Sequence, residues 1–188
     1  MFDWKHAFRD DKTGTFGPED VLAYIYGVFH SPAYRKKYAE FLKIDFPRVP
    51  MAADKATFVR ICKIGGELIK LHLLEADILE NEKKLPRFAV EGSCVVEKGY
   101  PKYVCKEIAS SSRSGTSRND KVGRVYINQE QYFEGVEPSV WEFYIGGYQV
   151  CEKWLKDRRE RKLSYDDINH YQKITVALGE TNRLMGEL

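Results

Sequence analysis

The sequence lacks the features that mark several large classes of proteins. Its 188 residues contain only four scattered cysteines and no Cys-x-x-Cys pair, so neither a disulfide scaffold nor a structural zinc site is expected. No apolar run approaches the roughly 20 residues that cross a bilayer, and the first residues contain no apolar signal core. These absences favour a cytoplasmic protein with reduced thiols over a secreted or membrane-spanning one.

Motifs for catalysis are missing as well. The four histidines are far apart in sequence, and none has His-Glu-x-x-His spacing. No Gly-x-x-x-x-Gly-Lys-Ser/Thr loop for nucleotide phosphates is present. A nucleophile and a base could still meet in the fold, but nothing in the sequence favours such a pair. The sequence therefore points to binding rather than to turnover.

Positive charge is concentrated in two stretches, although the net charge is only +2. Residues 98–124 contain seven bases and two acids, and residues 152–163 contain six bases and three acids. Such segregation can give a nearly neutral protein one surface suited to phosphate. Charge alone, however, favours the simpler interpretation of two solvated basic stretches.

Apolar spacing predicts helices in the first and last thirds of the chain. Helices are expected from Pro18 and from Pro32, a long one over about 54–79 capped by Asp54, and a last one after Ser164. The seams of the two long helices match, which predicts an antiparallel pair. Packing of each helix separately on a sheet is the alternative.

The middle of the chain has the pattern of β-structure. Strands are expected near 88–92, 94–97, 103–105, 123–128 and 140–145, with a polar, basic loop over 109–120. Gly146-Gly147 then breaks the pattern before a helix from Tyr148 to about Arg159. The predicted fold class is therefore α+β, with an N-terminal helical layer, a small twisted β lobe, and a long C-terminal helix paired with the helix near 54–79.

The basic middle stretch is the strongest candidate for a nucleic-acid contact, because its cations alternate with tyrosine, serine and asparagine. Gly146-Gly147 could also open a helix that presents backbone N–H groups to a phosphate, although a tight turn explains these glycines equally well. The predicted DNA contacts are Lys98, Lys102, Lys106, Arg113, Arg118, Asn119, Lys121, Arg124, Gly147, Tyr148, Gln149, Lys153 and Lys156.

Several longer sequence segments are more specific indicators of function than the distribution of charge. They are Pro18–Arg35, Tyr38–Pro50, Gly123–Asn128 with Gln131–Val136, Val140–Val150 with Lys153–Arg158, and Leu163–Ile168 with His170–Ile174. Together they resemble the C-terminal specificity region of Type ISP restriction-modification enzymes and related adenine-specific DNA methyltransferases. The resemblance runs from about Thr15 to Met185. It implies a target-recognition domain that grips duplex DNA, while an upstream domain binds S-adenosylmethionine and methylates adenine N6.

The chain departs from that family in what it does not contain. The catalytic Asn/Asp-Pro-Pro-Tyr/Phe motif is absent, as are a glycine-rich cofactor motif, helicase motifs and a nuclease motif. We therefore expect no catalytic residue, metal or cofactor in this chain, and S-adenosylmethionine is expected only in the parent methyltransferase domain. The expected partners are duplex DNA and an upstream or separate methyltransferase domain.

These expectations divide the chain into a helical docking region at 1–86, a β-rich DNA-recognition lobe at 87–147, and helices at 148–188 that pack back on the helical region. The predicted function is sequence-specific duplex DNA binding without catalysis. The alternative is a docking module whose exposed apolar helix stripe binds a methyltransferase subunit.

Overall fold

A computed structural model describes residues 16–89, 91–107 and 121–188. The chain forms two compact units, Met1–Ala76 with Glu180–Leu188 and Asp77–Gly179. Within the three described stretches, no helix combines the length and the apolar character needed to cross a bilayer.

The first unit is built from helices whose starts are capped by polar side chains. Its elements are α1 (Pro18–His30), α2 (Pro32–Lys37), a 3-10 turn (Phe41–Lys43) and α3 (Lys55–His72). The Asp20 carboxylate accepts the Gly17 N–H at 2.7 Å, while Ser31 and Asp54 accept N–H groups in the first turns of α2 and α3. These bonds satisfy donors that a helix start leaves unpaired. The three predicted helix starts are confirmed.

Helices α1 and α3 cross at a pair of glycines. A β-carbon on Gly65 would lie 1.8 Å from the carbonyl oxygen of Ala23, and one on Gly27 would lie 2.8 Å from the Ile61 side chain. The two helix backbones can approach this closely only because both positions lack a β-carbon. The glycines therefore set the distance between the helices.

Two tyrosines connect the helices to the extended segment before α3. The Tyr24 ring stacks on Phe58 with centroids 4.7 Å apart. The Tyr24 hydroxyl donates to the carbonyl of Pro50, and the Tyr34 hydroxyl donates to that of Arg48, each at 2.7 Å. Each ring thus buries apolar area while its hydroxyl keeps a partner, which is how buried tyrosines are usually accommodated.

The second unit contains an antiparallel sheet. After 3-10 turns at Asp77–Glu80 and Glu82–Lys84 come β1 (Arg87–Phe88), β2 (Lys102–Glu107), β3 (Lys121–Tyr126) and β4 (Tyr132–Glu134). The spatial order among the described strands is β1-β4-β3-β2. Next come α4 (Pro138–Trp141), a hairpin of β5 (Tyr144–Ile145) and β6 (Tyr148–Gln149), α5 (Val150–Lys156) and α6 (Tyr165–Gly186).

One face of this sheet forms the core of the second unit. Val125 and Phe133 lie opposite each other on β3 and β4, and both are fully buried. They belong to one buried cluster with Leu155 of α5 and Tyr171 of α6, and the Phe133 and Tyr171 ring centroids are 4.5 Å apart. The α+β class, with a small antiparallel sheet and a long C-terminal helix, is confirmed.

The long helices meet in the first unit through the end of α6. Arg60 of α3 donates to the carbonyl of Glu187 at 2.6 Å, and His72 Nε2 lies 3.0 Å from Thr181 Oγ1. Residue numbers therefore rise along one helix as they fall along the other, as in an antiparallel pair. The glycine crossing gives α3 a second partner in α1, which the matching seams did not reveal.

Local predictions were wrong at four places in the chain. Of the strands predicted at 88–92 and 94–97, the described residues form only the two-residue β1, Arg87–Phe88, and single bridges at Val95 and Val96. The helix predicted to reach residue 79 ends at His72, because Leu74 takes a left-handed φ of 59° and a 3-10 turn follows at Asp77–Glu80. The strand predicted at 140–145 is the end of α4 followed by the two residues of β5. The helix expected from Tyr148 begins at Val150.

Candidate nucleic-acid interface

The solvent-facing side of the sheet combines cations with tyrosines. Lys102 lies opposite Tyr126 across β2 and β3, while Tyr132 and Glu134 of β4 lie opposite Tyr126 and Arg124. Facing residues of antiparallel strands project to the same side, so these five side chains share the face opposite the core. Lys102 is exposed, and the other four are half-buried.

Arg124 is held in a fixed plane on this face. Its Nε and Nη2 atoms donate to Glu134 Oε1 at 2.9 and 2.6 Å, and its guanidinium carbon lies 4.5 Å from the centroid of the Tyr132 ring. The Tyr132 ring in turn lies 4.9 Å from that of Tyr126. Hydrogen bonding to Glu134, and then to Tyr126, raises the pKa of Arg124 above its ordinary value. The guanidinium is therefore charged and oriented.

Two lysines occupy the approach to β2. Lys98 is exposed in the turn that precedes the strand. Lys102, the first residue of β2, places its ammonium group 4.7 Å from the centroid of the Tyr100 ring. Both side chains present positive charge to solvent, as the sequence predicted for this stretch.

A basic turn at residues 158–162 lies against the segment that leads to β2. Glu160 N donates to Val96 O at 2.8 Å, Val96 N donates to Arg161 O at 3.3 Å, and Arg159 Nε donates to Tyr100 O at 2.8 Å. Arg159, Arg161 and Lys162 are exposed. These three residues are not among the DNA contacts predicted from the sequence. The excess of bases over 152–163 was a signal for them.

The two lysines selected from that stretch are engaged with acids of their own helix. Lys153 forms an ion pair with Asp157 at 2.5 Å, and Lys156 forms one with Glu152 at 2.7 Å. Such pairs, four residues apart on a helix, compensate each other's charge locally. Lys153 and Lys156 therefore offer less net positive potential than their sequence positions suggest.

The glycine pair stands in a hairpin turn and not at a helix start. Gly146 and Gly147 have φ angles of 56° and 87°, which suit the turn between β5 and β6. Tyr148 is 62% exposed, and the Gln149 side chain donates to the Trp141 carbonyl. The expectation that a helix N-terminus at the glycines faces a phosphate is thus corrected, and DNA contact by Gly147, Tyr148 and Gln149 stays a prediction.

Five further candidates cannot be placed as side chains. Arg113, Arg118 and Asn119 lie outside the described residues. For Lys106 and Lys121 the structure gives only backbone positions, in β2 and β3. Their roles stay sequence-based predictions.

Two buried thiols, Cys62 in the first unit and Cys151 in the second, are poor nucleophiles. Burial raises the pKa of Cys62 to about 12, with the Asp20 carboxylate adding to the effect, and burial also raises the pKa of Cys151 to about 12. Both are protonated at neutral pH, and a protonated thiol does not attack substrates. In the part of the chain that the structure describes, no group of three His, Cys, Asp or Glu side chains could hold a metal ion.

A histidine network joins the helices of the first unit. The Tyr26 hydroxyl lies 2.6 Å from His72 Nδ1, and His30 Nδ1 lies 2.8 Å from the Tyr26 carbonyl oxygen. Burial lowers the pKa of both histidines; Arg35 lowers that of His30 further, and His30 lowers that of His72. Both rings are therefore neutral in the folded chain near pH 7.

This network predicts that acid weakens the fold. Because the folded pKa of each histidine lies below its unfolded value of about 6.5, their contribution to stability is complete above that pH and is lost as the pH falls below it. Urea unfolding at pH 7.5 and pH 5.0 should show this loss, and His72→Gln should reduce it. Replacing the exposed His170 with glutamine should leave the loss unchanged.

Solved structures with a similar fold were found among complexes with DNA. One is the DrdV–DNA complex solved by cryoEM, 21% identical with a TM-score of 0.59, covering 90% of this chain and 18% of that chain. Another is the ATP-dependent Type ISP restriction-modification enzyme LlaBIII bound to DNA, which is 23% identical with a TM-score of 0.58. The match covers 90% of this chain and 11% of that chain. A third is a nuclease-deletion mutant of the Type ISP restriction-modification enzyme LlaGI in complex with a DNA substrate mimic, which is 21% identical with a TM-score of 0.56. The match covers 93% of this chain and 14% of that chain.

These likenesses establish a shared fold, and the chain spans less than a fifth of each solved chain. No curated protein matches the sequence. A family model for the Type ISP C-terminal specificity domain, a recognition module, matches residues 3–187. The chain therefore belongs to the Type ISP C-terminal specificity domain family.

Proposed function

We propose that this chain recognises a specific sequence in duplex DNA through its second unit, without chemistry of its own. Family membership and the fold shared with proteins solved on DNA support this proposal. Its site is a basic surface, defined as Lys98, Lys102, Arg159, Arg161 and Lys162, together with the adjoining sheet face that carries Arg124.

One observation carries the proposal. Backbone hydrogen bonds between the basic turn and Val96, and the Arg159 bond to Tyr100, bring two basic segments together that are about sixty residues apart in sequence. Converging exposed cations neutralise neighbouring phosphates and release condensed counterions, which drives DNA binding. The acids Glu97 and Glu160 also lie in these segments, so the surface is basic but not uniform.

Phosphate contacts fix register, whereas base contacts select sequence. In this proposal the basic surface follows the DNA backbone, and the sheet face approaches base edges. The predicted contacts Lys106, Arg113, Arg118, Asn119 and Lys121 belong to the segments that join or form β2 and β3, and they extend the same interface. Lys153, Lys156 and the Gly147–Gln149 turn are proposed as outer contacts.

Catalysis belongs to other parts of the parent enzyme in this proposal. A methyltransferase domain binds S-adenosylmethionine and methylates adenine N6 in the cytoplasm, and this chain holds the duplex in register while the target base is flipped out. The absence of the Asn/Asp-Pro-Pro-Tyr/Phe motif from the sequence supports this division of labour. Residues 1–86 are proposed to dock on the methyltransferase domain, 87–147 to read DNA, and 148–188 to brace them.

Removing two cations of the basic surface tests the proposal. The double variant Lys98→Ala/Lys102→Ala should bind a labelled 30-bp duplex about 10-fold more weakly than the unchanged chain at low salt, because two phosphate contacts are lost. Fluorescence anisotropy measures the affinity. The charge-matched double variant Lys36→Ala/Lys37→Ala, at the exposed end of α2, should bind as the unchanged chain does. Equal affinity of both double variants would place the DNA contact elsewhere.

A docking function is the second candidate, and it is favoured by an apolar groove. The groove, of about 780 Å³, lies along α1 and α3 and is lined in part by Leu22, Val59, Gly66 and Ile69. Leu22 is 57% exposed and Val59 is 41% exposed. The occupant in this candidate is a helix of the methyltransferase domain. Failure of the chain to bind duplex DNA at low salt would favour docking over target recognition.

A further inference from the structure

We infer that Arg124 reads the edge of a guanine base in the major groove, whereas the basic surface contacts phosphates. This inference rests on the proposed function and adds the chemistry of one base contact to it. Lys98 and Lys102 end in ammonium groups on flexible stems, but Arg124 has a planar group that its neighbours hold in one orientation. Two N–H donors that are held in one orientation bond well only where two acceptors lie at matching positions.

Glu134 determines which edge of the guanidinium is available. The Glu134 carboxylate accepts from Nε and from Nη2 of Arg124, so the edge of the guanidinium formed by these two nitrogens is occupied by the protein. Nη1 is not among the nitrogens bonded to Glu134, and the guanidinium also has a hydrogen bond with the Tyr126 side chain. The two charged side chains remain 31% and 29% exposed, which leaves the pair accessible to a ligand.

The two tyrosines restrict the group further. Tyr132 lies under the guanidinium plane, and Tyr126 packs beside Tyr132. A guanidinium over an aromatic face is stabilised by the ring's quadrupole and loses motion perpendicular to the ring. The guanidinium is therefore held by Glu134 and Tyr132 and is less mobile than a lysine ammonium group, as base recognition requires.

Guanine is the base that fits such a guanidinium. Its O6 and N7 atoms are adjacent acceptors in the major groove, and they receive two parallel N–H groups from one arginine. The major groove also admits a two-stranded β-ribbon. β3 lies between β2 and β4 at Arg124, but beyond Arg124 the β2–β3 pairing continues past the end of the β4 register, so Arg124 lies on the solvent face at the base of such a ribbon. A phosphate would accept the same hydrogen bonds, but it does not need a guanidinium held on two sides.

The test removes one acceptor, guanine N7, from the DNA, and it replaces the planar guanidinium of Arg124 with a lysine ammonium group. Selection from a random-core duplex library with the unchanged chain defines a preferred site, in which each guanine is replaced in turn by 7-deazaguanine, which lacks N7. We expect one replacement to weaken binding by the unchanged chain roughly 10-fold, and to weaken binding by Arg124→Lys by a clearly smaller factor relative to its own unmodified duplex, because a lysine can donate to N7 but is a mobile point charge. The salt dependence should stay similar, because the charge is kept.

Two further variants distinguish the loss of a base contact from a loss of folded structure. Arg183→Lys makes the same exchange in α6 of the first unit, where Arg183 also donates to two glutamates, Glu180 and Glu187, and it should keep the full sensitivity to 7-deazaguanine. Glu134→Gln keeps the side-chain shape but weakens the hold on the guanidinium, so it should reduce that sensitivity. Circular dichroism confirms that each variant is folded.

The outcomes separate the inference from the proposed function. If Arg124→Lys keeps the sensitivity of the unchanged chain at every guanine, or if the selected site contains no guanine, the inference is overturned while DNA recognition stands. If the unchanged chain binds no duplex, the proposed function fails and the inference falls with it.

Discussion

Replacing Gly65 with alanine should destabilise the fold by about 3 kcal/mol or more, at the upper end of the usual cost of overpacking a well-packed contact. The added methyl group would lie 1.8 Å from the Ala23 carbonyl oxygen and 2.9 Å from the Gly27 backbone nitrogen. Backbone atoms cannot swing aside as the end of a flexible side chain can, so α1 and α3 must separate. That separation also disturbs the packing of Tyr24 on Phe58.

The neighbouring glycine gives a matched control with the opposite sign. A β-carbon on Gly66 would meet nothing within 4 Å, so Gly66→Ala should stabilise the helix by about 0.5–1 kcal/mol through its higher helix propensity. Urea unfolding followed by circular dichroism measures both changes. A Gly65→Ala variant as stable as the unchanged chain would show that the two helices do not cross at this point.

Reversing two charges of the basic turn should cause the largest loss of DNA affinity. Arg161 and Lys162 are exposed, and both belong to the turn paired with the segment leading to β2. The double variant Arg161→Glu/Lys162→Glu should bind duplex DNA about 100-fold more weakly at 50 mM salt, because two phosphate contacts are lost and two repulsions are added. The loss should shrink at 300 mM salt, where the repulsion is screened.

The control for this variant reverses two charges far from the turn in sequence. Lys36→Glu/Lys37→Glu changes the net charge equally but acts at the exposed end of α2 in the first unit. It should reduce affinity only slightly, through the altered overall charge. A similar loss in both variants would mean that net charge, and not the basic turn, governs binding.

Local chemistry in the sequence was sufficient to predict the helix starts. Pro18, Ser31-Pro32 and Asp54 each act within one turn, and the structure places α1, α2 and α3 where they indicated. The end of α3 was not predictable in the same way. The apolar seam continues past His72, but the chain leaves the helix at Leu74, and Leu79 is buried in the second unit.

The candidate site was predictable in charge but not in arrangement. Lys98, Lys102 and Arg124 were selected from composition. The pairing of Arg124 with Glu134 depends on the register of β3 and β4, which no local pattern fixes. Likewise, the basic turn meets Val96 through hydrogen bonds between residues far apart in sequence, so Lys153 and Lys156 were selected in place of Arg159 and Arg161.

The central claim is that this chain binds duplex DNA through converging cations, and its most direct test is the affinity of the unchanged chain as a function of salt. Five phosphate contacts by the basic surface predict that the logarithm of the association constant falls with the logarithm of salt concentration with a slope of about −4 to −5. A slope shallower than about −1, or no binding at 50 mM salt, would contradict the claim.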